Sequence, residues 1–153
     1  MRVEIISSNV EFTKTLASVI AEGLFPNAVI TLNGDLGAGK TTFTQGLGQS
    51  LGIKGKINSP TFNILKCYFE GELPFYHIDA YRLEDNVNAD IGLEEVIQGD
   101  GICVIEWSKF IENIIFEPLN IVIEILEDNS RKFIISSEYK KYEKIFDKLK
   151  ELN

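Results

Sequence analysis

The stretch that decides the fold is Thr31-Leu32-Asn33-Gly34-Asp35-Leu36-Gly37-Ala38-Gly39-Lys40-Thr41-Thr42. It contains the pattern G-x-x-x-x-G-K-T, which is the spacing of a phosphate-binding P-loop. An apolar run, Ala28-Val29-Ile30, precedes it, and a segment with helical periodicity follows. A strand, a glycine loop and a helix in that order are the context that a P-loop requires, so this stretch predicts a nucleotide site.

The residue types in the loop suit phosphate chemistry. Glycines let the backbone turn tightly and bring successive N–H groups close to phosphate oxygens. Lys40 would reach the terminal phosphates, and the hydroxyl of Thr41 would hold Mg²⁺. The N-terminus of the following helix adds partial positive charge at the same point. The alternative, a glycine-rich turn with an exposed lysine, explains neither the spacing nor the flanking elements.

Size and charge narrow the class of protein. The 153 residues predict one domain, residues 1–153, and a hydrophobic fraction of 44% with 25% charged residues is that of an ordinary globular protein. No apolar run approaches a membrane span, and the N-terminus lacks a basic region before an apolar stretch, so we expect a cytoplasmic protein without membrane contact. The net charge of −8 disfavours direct binding of RNA or DNA, which needs a basic face.

The periodicity of the chain predicts alternating helices and strands. Strands are expected at 2–7, 27–32, 63–70, 73–80, 101–105, 120–126 and 132–136, and helices after Ser8, at 41–51, at 90–98 and at the C-terminus. Ser8 followed by Glu11 is a capping-box pattern for the first helix. This order of elements indicates a three-layer α/β domain, similar to P-loop NTPases, with a mixed parallel and antiparallel sheet.

Two acids stand where a P-loop needs a carboxylate. Asp79 and Glu106 each end an apolar strand, and ligands gather at the carboxyl ends of such strands. Either acid could coordinate magnesium directly or through water, and the other could orient the attacking water. An acid at a strand end can also be a solvated boundary residue, and the residues alone leave these roles unassigned.

Three further residues have competing interpretations. Thr61 lies some twenty residues past the loop beside Pro60, either as a switch threonine that senses γ-phosphate and metal or as a surface-turn residue. His77, the single histidine, shares a strand face with Asp79, and we expect it to pack or hydrogen-bond rather than do acid–base work. Trp107 is expected to pack or to form an interface rather than to stack on a base.

Several reactions are disfavoured. The guanine-recognition pattern Asn-Lys-x-Asp and the switch pattern Asp-x-x-Gly do not occur, which argues against a GTPase. A small-molecule kinase usually closes an arginine-bearing lid over the phosphoryl group. The chain has only Arg2, Arg82 and Arg131, and no insertion long enough for a lid. ATP hydrolysis coupled to a partner fits better, with a kinase and an ATP-sensing binding module as the alternatives.

Four motifs taken together resemble the bacterial TsaE (YjeE) family. They are the loop from Asn33 to Phe43, Asn58-Ser59-Pro60-Thr61-Phe62, His77-Ile78-Asp79-Ala80-Tyr81-Arg82-Leu83 and Ile105-Glu106-Trp107. The resemblance implies a small ATPase that acts with TsaB and TsaD to form N6-threonylcarbamoyladenosine in tRNA. In such a system the TsaD-type protein performs the transfer, hydrolysis by the TsaE-type protein resets the TsaB–TsaD pair, and the tRNA is met only indirectly.

The resemblance also implies roles for individual residues. ATP phosphates would be bound by the loop residues Gly37, Ala38, Gly39, Lys40, Thr41 and Thr42. Thr41 and Glu106 would serve Mg²⁺, with Asp79 beside the metal and the water. Thr61 would be the switch-like threonine. The start of the first helix, near Val10, and Arg131 in the C-terminal hairpin would lie at the nucleotide.

Overall fold

Seven strands form one sheet in the computed structural model, which describes residues 1–35, 37–58, 64–83 and 92–152. The strands are β1 (Arg2–Ser7), β2 (Val29–Gly34), β3 (Leu65–Tyr68), β4 (Phe75–Asp79), β5 (Ile102–Glu106), β6 (Leu119–Ile125) and β7 (Arg131–Ser136). The helices are α1 (Val10–Glu22), α2 (Lys40–Ser50), α3 (Leu93–Gln98) and α4 (Glu143–Leu152). Short 3₁₀ segments occupy Ala80–Leu83, Ser108–Ile114 and Lys140–Tyr142.

The sheet is mixed, as the sequence predicted. Its strand order is β1-β7-β6-β2-β5-β4-β3. Strand β2 pairs in parallel with both β5 and β6, and β4 pairs in parallel with β5. The outer pairs β1–β7, β6–β7 and β3–β4 are antiparallel. The prediction of an α/β fold with a mixed sheet is therefore confirmed.

Apolar clusters cover both faces of the central strands and produce the three layers. One cluster joins α1, α2 and α4 to the sheet, with Leu16, Phe43 and Phe146 among its buried side chains. The other joins α3 and the 3₁₀ segments Ala80–Leu83 and Ser108–Ile114 to the opposite face, with Ile78 and Ile105 among its buried side chains. Parallel strands buried on both faces read as continuous apolar runs, which is how β5 appears in the sequence.

The start of α1 differs from the predicted capping box. The N-cap is Asn9, whose side-chain Oδ1 accepts a hydrogen bond from the backbone N of Phe12 at 2.7 Å. Ser8 is therefore not the cap. An asparagine carbonyl satisfies an orphan N–H of the first turn as well as a serine hydroxyl does, so the helix begins one residue later than the Ser8–Glu11 pattern suggests.

The C-terminal segment is fastened to the start of β2 by one tyrosine. The hydroxyl of Tyr142 accepts from the backbone N of Val29 at 3.0 Å and donates to the carbonyl of Val29 at 3.2 Å. Burial raises the pKa of Tyr142 to about 12. This contact holds α4 against the strand that leads into the glycine loop.

Within the described ranges, no helix combines the length and apolar character needed to cross a membrane.

Candidate active site

The glycine loop, residues 34–40, connects the end of β2 to the first residue of α2. Gly39 is the N-cap of α2 and has a φ of +106°, a left-handed conformation that favours glycine. Thr41 and Thr42 occupy the next two positions, in the first turn of α2, and Thr41 is exposed. An exposed hydroxyl beside a helix N-terminus is available to a phosphate-bound cation.

Lys40 is held inside the site rather than extended into solvent. It is 8% exposed, and its Nζ donates to the carbonyl of Gly34 at 2.8 Å. The same Nζ lies 3.7 Å from Oε1 of Glu106 and 4.9 Å from the ring centroid of Trp107. The ammonium group is thus desolvated and surrounded by electron-rich partners. From this position it can exchange its contact with the carbonyl of Gly34 for contacts with phosphate oxygens.

The two strand-end acids lie side by side. Asp79 of β4 is opposite Glu106 of β5 in the parallel register, and Glu106 is in turn opposite Leu32 of β2. Two residues beyond Leu32 the glycine loop begins, so both carboxylates stand at the edge of the sheet where the loop lies. Lys40, Asp79 and Glu106 therefore meet at one place, as their positions in the sequence suggested.

The environment of the two acids differs. Glu106 is 5% exposed, and its Oε2 accepts a hydrogen bond from Nε2 of His77 at 2.6 Å. Asp79 is half-buried, and its Oδ1 accepts from the backbone N of Tyr81 at 3.0 Å. Burial raises the pKa of Asp79, the hydrogen bond from Tyr81 lowers it, and the nearby Glu106 raises it further, with a net upward shift.

Arg131 reaches the loop from the β6–β7 hairpin. Its Nε donates to the carbonyl of Ala38 at 3.0 Å, and its Nη2 lies 3.4 Å from the carbonyl of Gly37. Val10, the first residue of α1, is 53% exposed. It lies three positions after Ser7, and Ser7 pairs with Arg131 in the sheet. The structure thus places the start of α1 and the hairpin arginine at the same edge of the sheet as the loop.

The family model described as "Threonylcarbamoyl adenosine biosynthesis protein TsaE" matches residues 7–135. This range includes the glycine loop, both acids and Arg131. The chain belongs to the TsaE family. The resemblance seen in the four sequence motifs is thereby confirmed.

Curated relatives and a solved structure agree with this membership. The tRNA threonylcarbamoyladenosine biosynthesis protein TsaE of Bacillus subtilis is 45% identical over 142 residues, which are 92% of this chain and 89% of that protein. The protein of the same name from Rickettsia felis is 40% identical over 130 residues, which are 83% of this chain and 75% of that protein. The crystal structure of YdiB from Bacillus subtilis superposes with a TM-score of 0.82 at 38% identity, covering 99% of this chain and 95% of that one.

One predicted site residue of this TsaE-family chain cannot be placed. Thr61 lies outside the described residues, so its switch-like role stays a prediction. The described chain resumes at Ile64, whose carbonyl accepts a hydrogen bond from the backbone N of Asp79 at 2.8 Å. Ile64 is therefore attached to the strand that carries one of the two acids.

His77 is the residue whose importance the sequence understated. Its place on the same face of β4 as Asp79 was visible from the alternation of the strand, and hydrogen bonding was the expected role. Its partner was not visible, because the pairing of β4 with β5 joins residues far apart in the chain. The hydrogen bond to Glu106 links the histidine to the site.

Trp107 lies at the mouth of the site. It has a φ of +57°, and a cleft of about 300 Å³ lies between it, the start of the loop and the following 3₁₀ segment. Its ring lies 5.0 Å from that of Tyr81, between centroids. The prediction of a packing role agrees with this contact.

The side-chain oxygens of the site suit a Mg²⁺ ion that is bound partly by phosphates, rather than a metal ion bound by protein side chains alone. Among the described residues, no group of three or more His, Cys, Asp or Glu side chains is placed to hold a metal ion. Thr41, Asp79 and Glu106 supply a hydroxyl and two carboxylates, which are hard oxygen ligands. Mg²⁺ is commonly bound by one or two carboxylates together with substrate phosphates, and this donor set matches that pattern.

Proposed function

We propose that this chain hydrolyses ATP with Mg²⁺ and, together with TsaB and TsaD, forms N6-threonylcarbamoyladenosine in tRNA. The observation that carries the proposal is the meeting of Lys40, Asp79 and Glu106 at the glycine loop, with Oε1 of Glu106 3.7 Å from Nζ of Lys40. A buried cation, two carboxylates and a helix N-terminus at one point are the parts that phosphoryl transfer to water requires. One seven-stranded sheet across the described residues supports treating residues 1–153 as one ATPase domain.

The loop residues bind and orient the nucleotide in this proposal. The backbone N–H groups of residues 37–42 face the phosphates, and Lys40 leaves the carbonyl of Gly34 to neutralise the terminal phosphate oxygens. Thr41 and Glu106 would hold Mg²⁺, which when bound would offset charge on the phosphates. Arg131 keeps the loop in shape through its two carbonyl contacts.

In this proposal, Asp79 would orient the attacking water. The oxygen of the water bonds to the γ-phosphorus, the bond to the bridging oxygen breaks, and ADP and inorganic phosphate leave with one proton released. A carboxylate with a raised pKa is a better proton acceptor than an ordinary surface aspartate, because burial makes its proton-bound form more favourable. The two oxygens of Glu106 already contact His77 and Lys40, so we assign the proton-accepting role to Asp79.

Two of the three arginines, Arg2 and Arg131, are already bound within the protein, which supports a site that a partner completes. Phosphoryl transfer is commonly accelerated by an arginine that contacts the transferring group. In the described part of the chain, the guanidinium of Arg131 is bound to loop carbonyls and that of Arg2 to Glu4. A charge supplied in trans by TsaB–TsaD would complete the site, so we expect slow hydrolysis by the isolated chain.

The charge of the protein supports an indirect contact with tRNA. A net charge of −8 opposes independent binding to a phosphate backbone. The tRNA would be held by the other subunits, and this part of the proposal places the chain in the cytoplasm with its tRNA substrate.

The test uses γ-³²P-labelled ATP, Mg²⁺ and a mixture of cell metabolites, with and without TsaB–TsaD. We expect label to appear as inorganic phosphate, at a rate that rises when TsaB–TsaD is added and is abolished by Lys40→Ala. Label on a small molecule, without any response to TsaB–TsaD, would show a small-molecule kinase and overturn the proposal. The variant Lys132→Ala, on the opposite side of the hairpin, is the matched control and should hydrolyse ATP at the wild-type rate.

A further inference from the structure

The hydrogen bond between His77 and Glu106 joins two of the most enclosed polar side chains of the site. His77 is 1% exposed and Glu106 is 5% exposed. Nε2 of His77 donates to Oε2 of Glu106 at 2.6 Å, a short distance that is typical of a charge-assisted bond. The other ring nitrogen, Nδ1, is buried and has no hydrogen-bond partner among the described residues.

This arrangement is not that of a residue chosen for packing. A buried imidazole nitrogen without a partner costs free energy, and an apolar side chain of similar volume would fill the same space without that cost. In the described residues, the ring forms one polar contact, and that contact is to Glu106. The use of a histidine at this position is therefore explained by what it does to the carboxylate.

The bond divides the two oxygens of Glu106 between different partners. Oε2 is held by His77, while Oε1 lies 3.7 Å from Nζ of Lys40, on the side of the glycine loop. Nζ of Lys40 is in turn hydrogen-bonded to the carbonyl of Gly34. The carboxylate thus presents a single oxygen, Oε1, to the space in which a phosphate-bound cation would lie.

We infer that His77 is a positioning residue that makes Glu106 a one-oxygen ligand, and that it thereby favours Mg²⁺ over Ca²⁺. The inference rests on the proposed function, since it concerns the metal of the same site. Ca²⁺ accepts carboxylates through both oxygens and tolerates six to eight ligands, whereas Mg²⁺ demands near-octahedral geometry. Groups that hydrogen-bond to a metal ligand in this way fix its orientation, and their loss typically costs 10–100-fold in metal affinity or activity.

The test compares His77→Met with His77→Gln, two side chains of similar length. Glutamine keeps an N–H donor that can reach Oε2, and methionine does not. Binding of a non-hydrolysable ATP analogue is measured by titration calorimetry with Mg²⁺, with Ca²⁺ and without metal. We expect His77→Met to lower the apparent affinity for Mg²⁺ by roughly 10–100-fold and to shrink the preference for Mg²⁺ over Ca²⁺ about tenfold. His77→Gln should restore most of that preference.

A double-mutant cycle separates positioning from general structural damage. In a Glu106→Gln background, His77→Met should change the metal preference by less than about twofold, because the group through which His77 acts has already been altered. An undiminished effect in that background, or equal metal preference in wild type and His77→Met, would overturn the inference. His77→Phe, which keeps the ring volume, replaces His77→Met if thermal melting shows that the methionine variant is unfolded.

The wild-type titration distinguishes failure of the inference from failure of the proposed function. If the wild-type protein binds the analogue equally well with and without Mg²⁺, the proposed Mg-ATP site is wrong and the inference falls with it. If wild type shows the Mg²⁺ dependence and His77→Met retains the full preference for Mg²⁺, the proposed function stands and only the role of His77 is rejected.

Discussion

Arg131 ties the β6–β7 hairpin to the glycine loop, and its removal is the perturbation whose effect the structure specifies best. Nε of Arg131 donates to the carbonyl of Ala38 at 3.0 Å. A peptide group is planar and trans, so the C=O of Ala38 and the N–H of Gly39 point in opposite directions. Holding that carbonyl therefore keeps the N–H of Gly39 directed away from Arg131, into the turn where the phosphates are expected.

The magnitude of the effect follows from the two contacts. A hydrogen bond to a charged group contributes about 1.5–3 kcal/mol net. The contact to Gly37 is long, at 3.4 Å, and Arg131 is only half-buried, so the lower end of that range applies. A loss of about 1.5 kcal/mol in loop preorganisation corresponds to about a tenfold weaker affinity for Mg-ATP in Arg131→Ala.

Titration calorimetry with a non-hydrolysable ATP analogue measures this affinity. Arg131→Lys keeps the positive charge but loses the planar fork, so it should lie between wild type and Arg131→Ala. Lys132→Ala removes the neighbouring charge, which pairs with Glu4 on the other face at 2.7 Å, and should bind normally. Affinity within twofold of wild type in Arg131→Ala, or an equal loss in Lys132→Ala, would refute the argument.

Three further substitutions have defined outcomes. Burial raises the pKa of Asp79 from 3.8, so ionisation of its carboxyl group destabilises the fold as the pH rises above that value. Asp79→Asn should therefore raise the melting temperature of the nucleotide-free protein at pH 7 and lose this advantage in acid. The same substitution should slow ATP turnover. A lower melting temperature at pH 7 would contradict this account. Gly34→Ala would place a Cβ 2.7 Å from the carbonyl O of Ile123, which should cost about 1–3 kcal/mol in urea unfolding and weaken ATP binding. If Gly34→Ala is as stable as wild type, β2 and β6 can move apart at this point without strain. Tyr142→Phe removes the partner of the buried N–H of Val29 and should cost about 1–3 kcal/mol of unfolding free energy, with Tyr139→Phe as the control. A loss below 0.5 kcal/mol, on the scale of an ordinary surface change, would exclude the proposed fastening.

The sequence predicted the elements that local patterns specify. The glycine loop, the strands that flank it and the mixed α/β class follow from spacing and periodicity, because these signals lie within a few residues of each other. Asp79 and Glu106 could be placed at one edge, since the carboxyl ends of parallel strands meet there. The end of the first strand at Ser7 was also predicted, and the register of β1 with β7 bears it out.

What the sequence could not predict depends on contacts between distant segments. The bond from Arg131 to Ala38 spans 93 positions, and that from His77 to Glu106 spans 29. Such contacts depend on strand order and register, which no local pattern records. The wrong capping residue of α1 is a smaller case, in which Ser8 and Asn9 both have side chains able to cap and backbone geometry selected the second.

The most direct test of the central claim is a count of modified tRNA molecules per assembled complex. TsaB–TsaD, this chain, Mg-ATP, threonylcarbamoyl-adenylate and excess tRNA are combined, and N6-threonylcarbamoyladenosine is quantified over time by mass spectrometry. With the wild-type chain we predict many modifications per complex, and with folded Glu106→Ala about one before the reaction stops, because in the proposed function ATP hydrolysis would reset the TsaB–TsaD pair. Equal multiple turnover with wild type and Glu106→Ala would contradict the account, since ATP hydrolysis at this site would then not serve the modification.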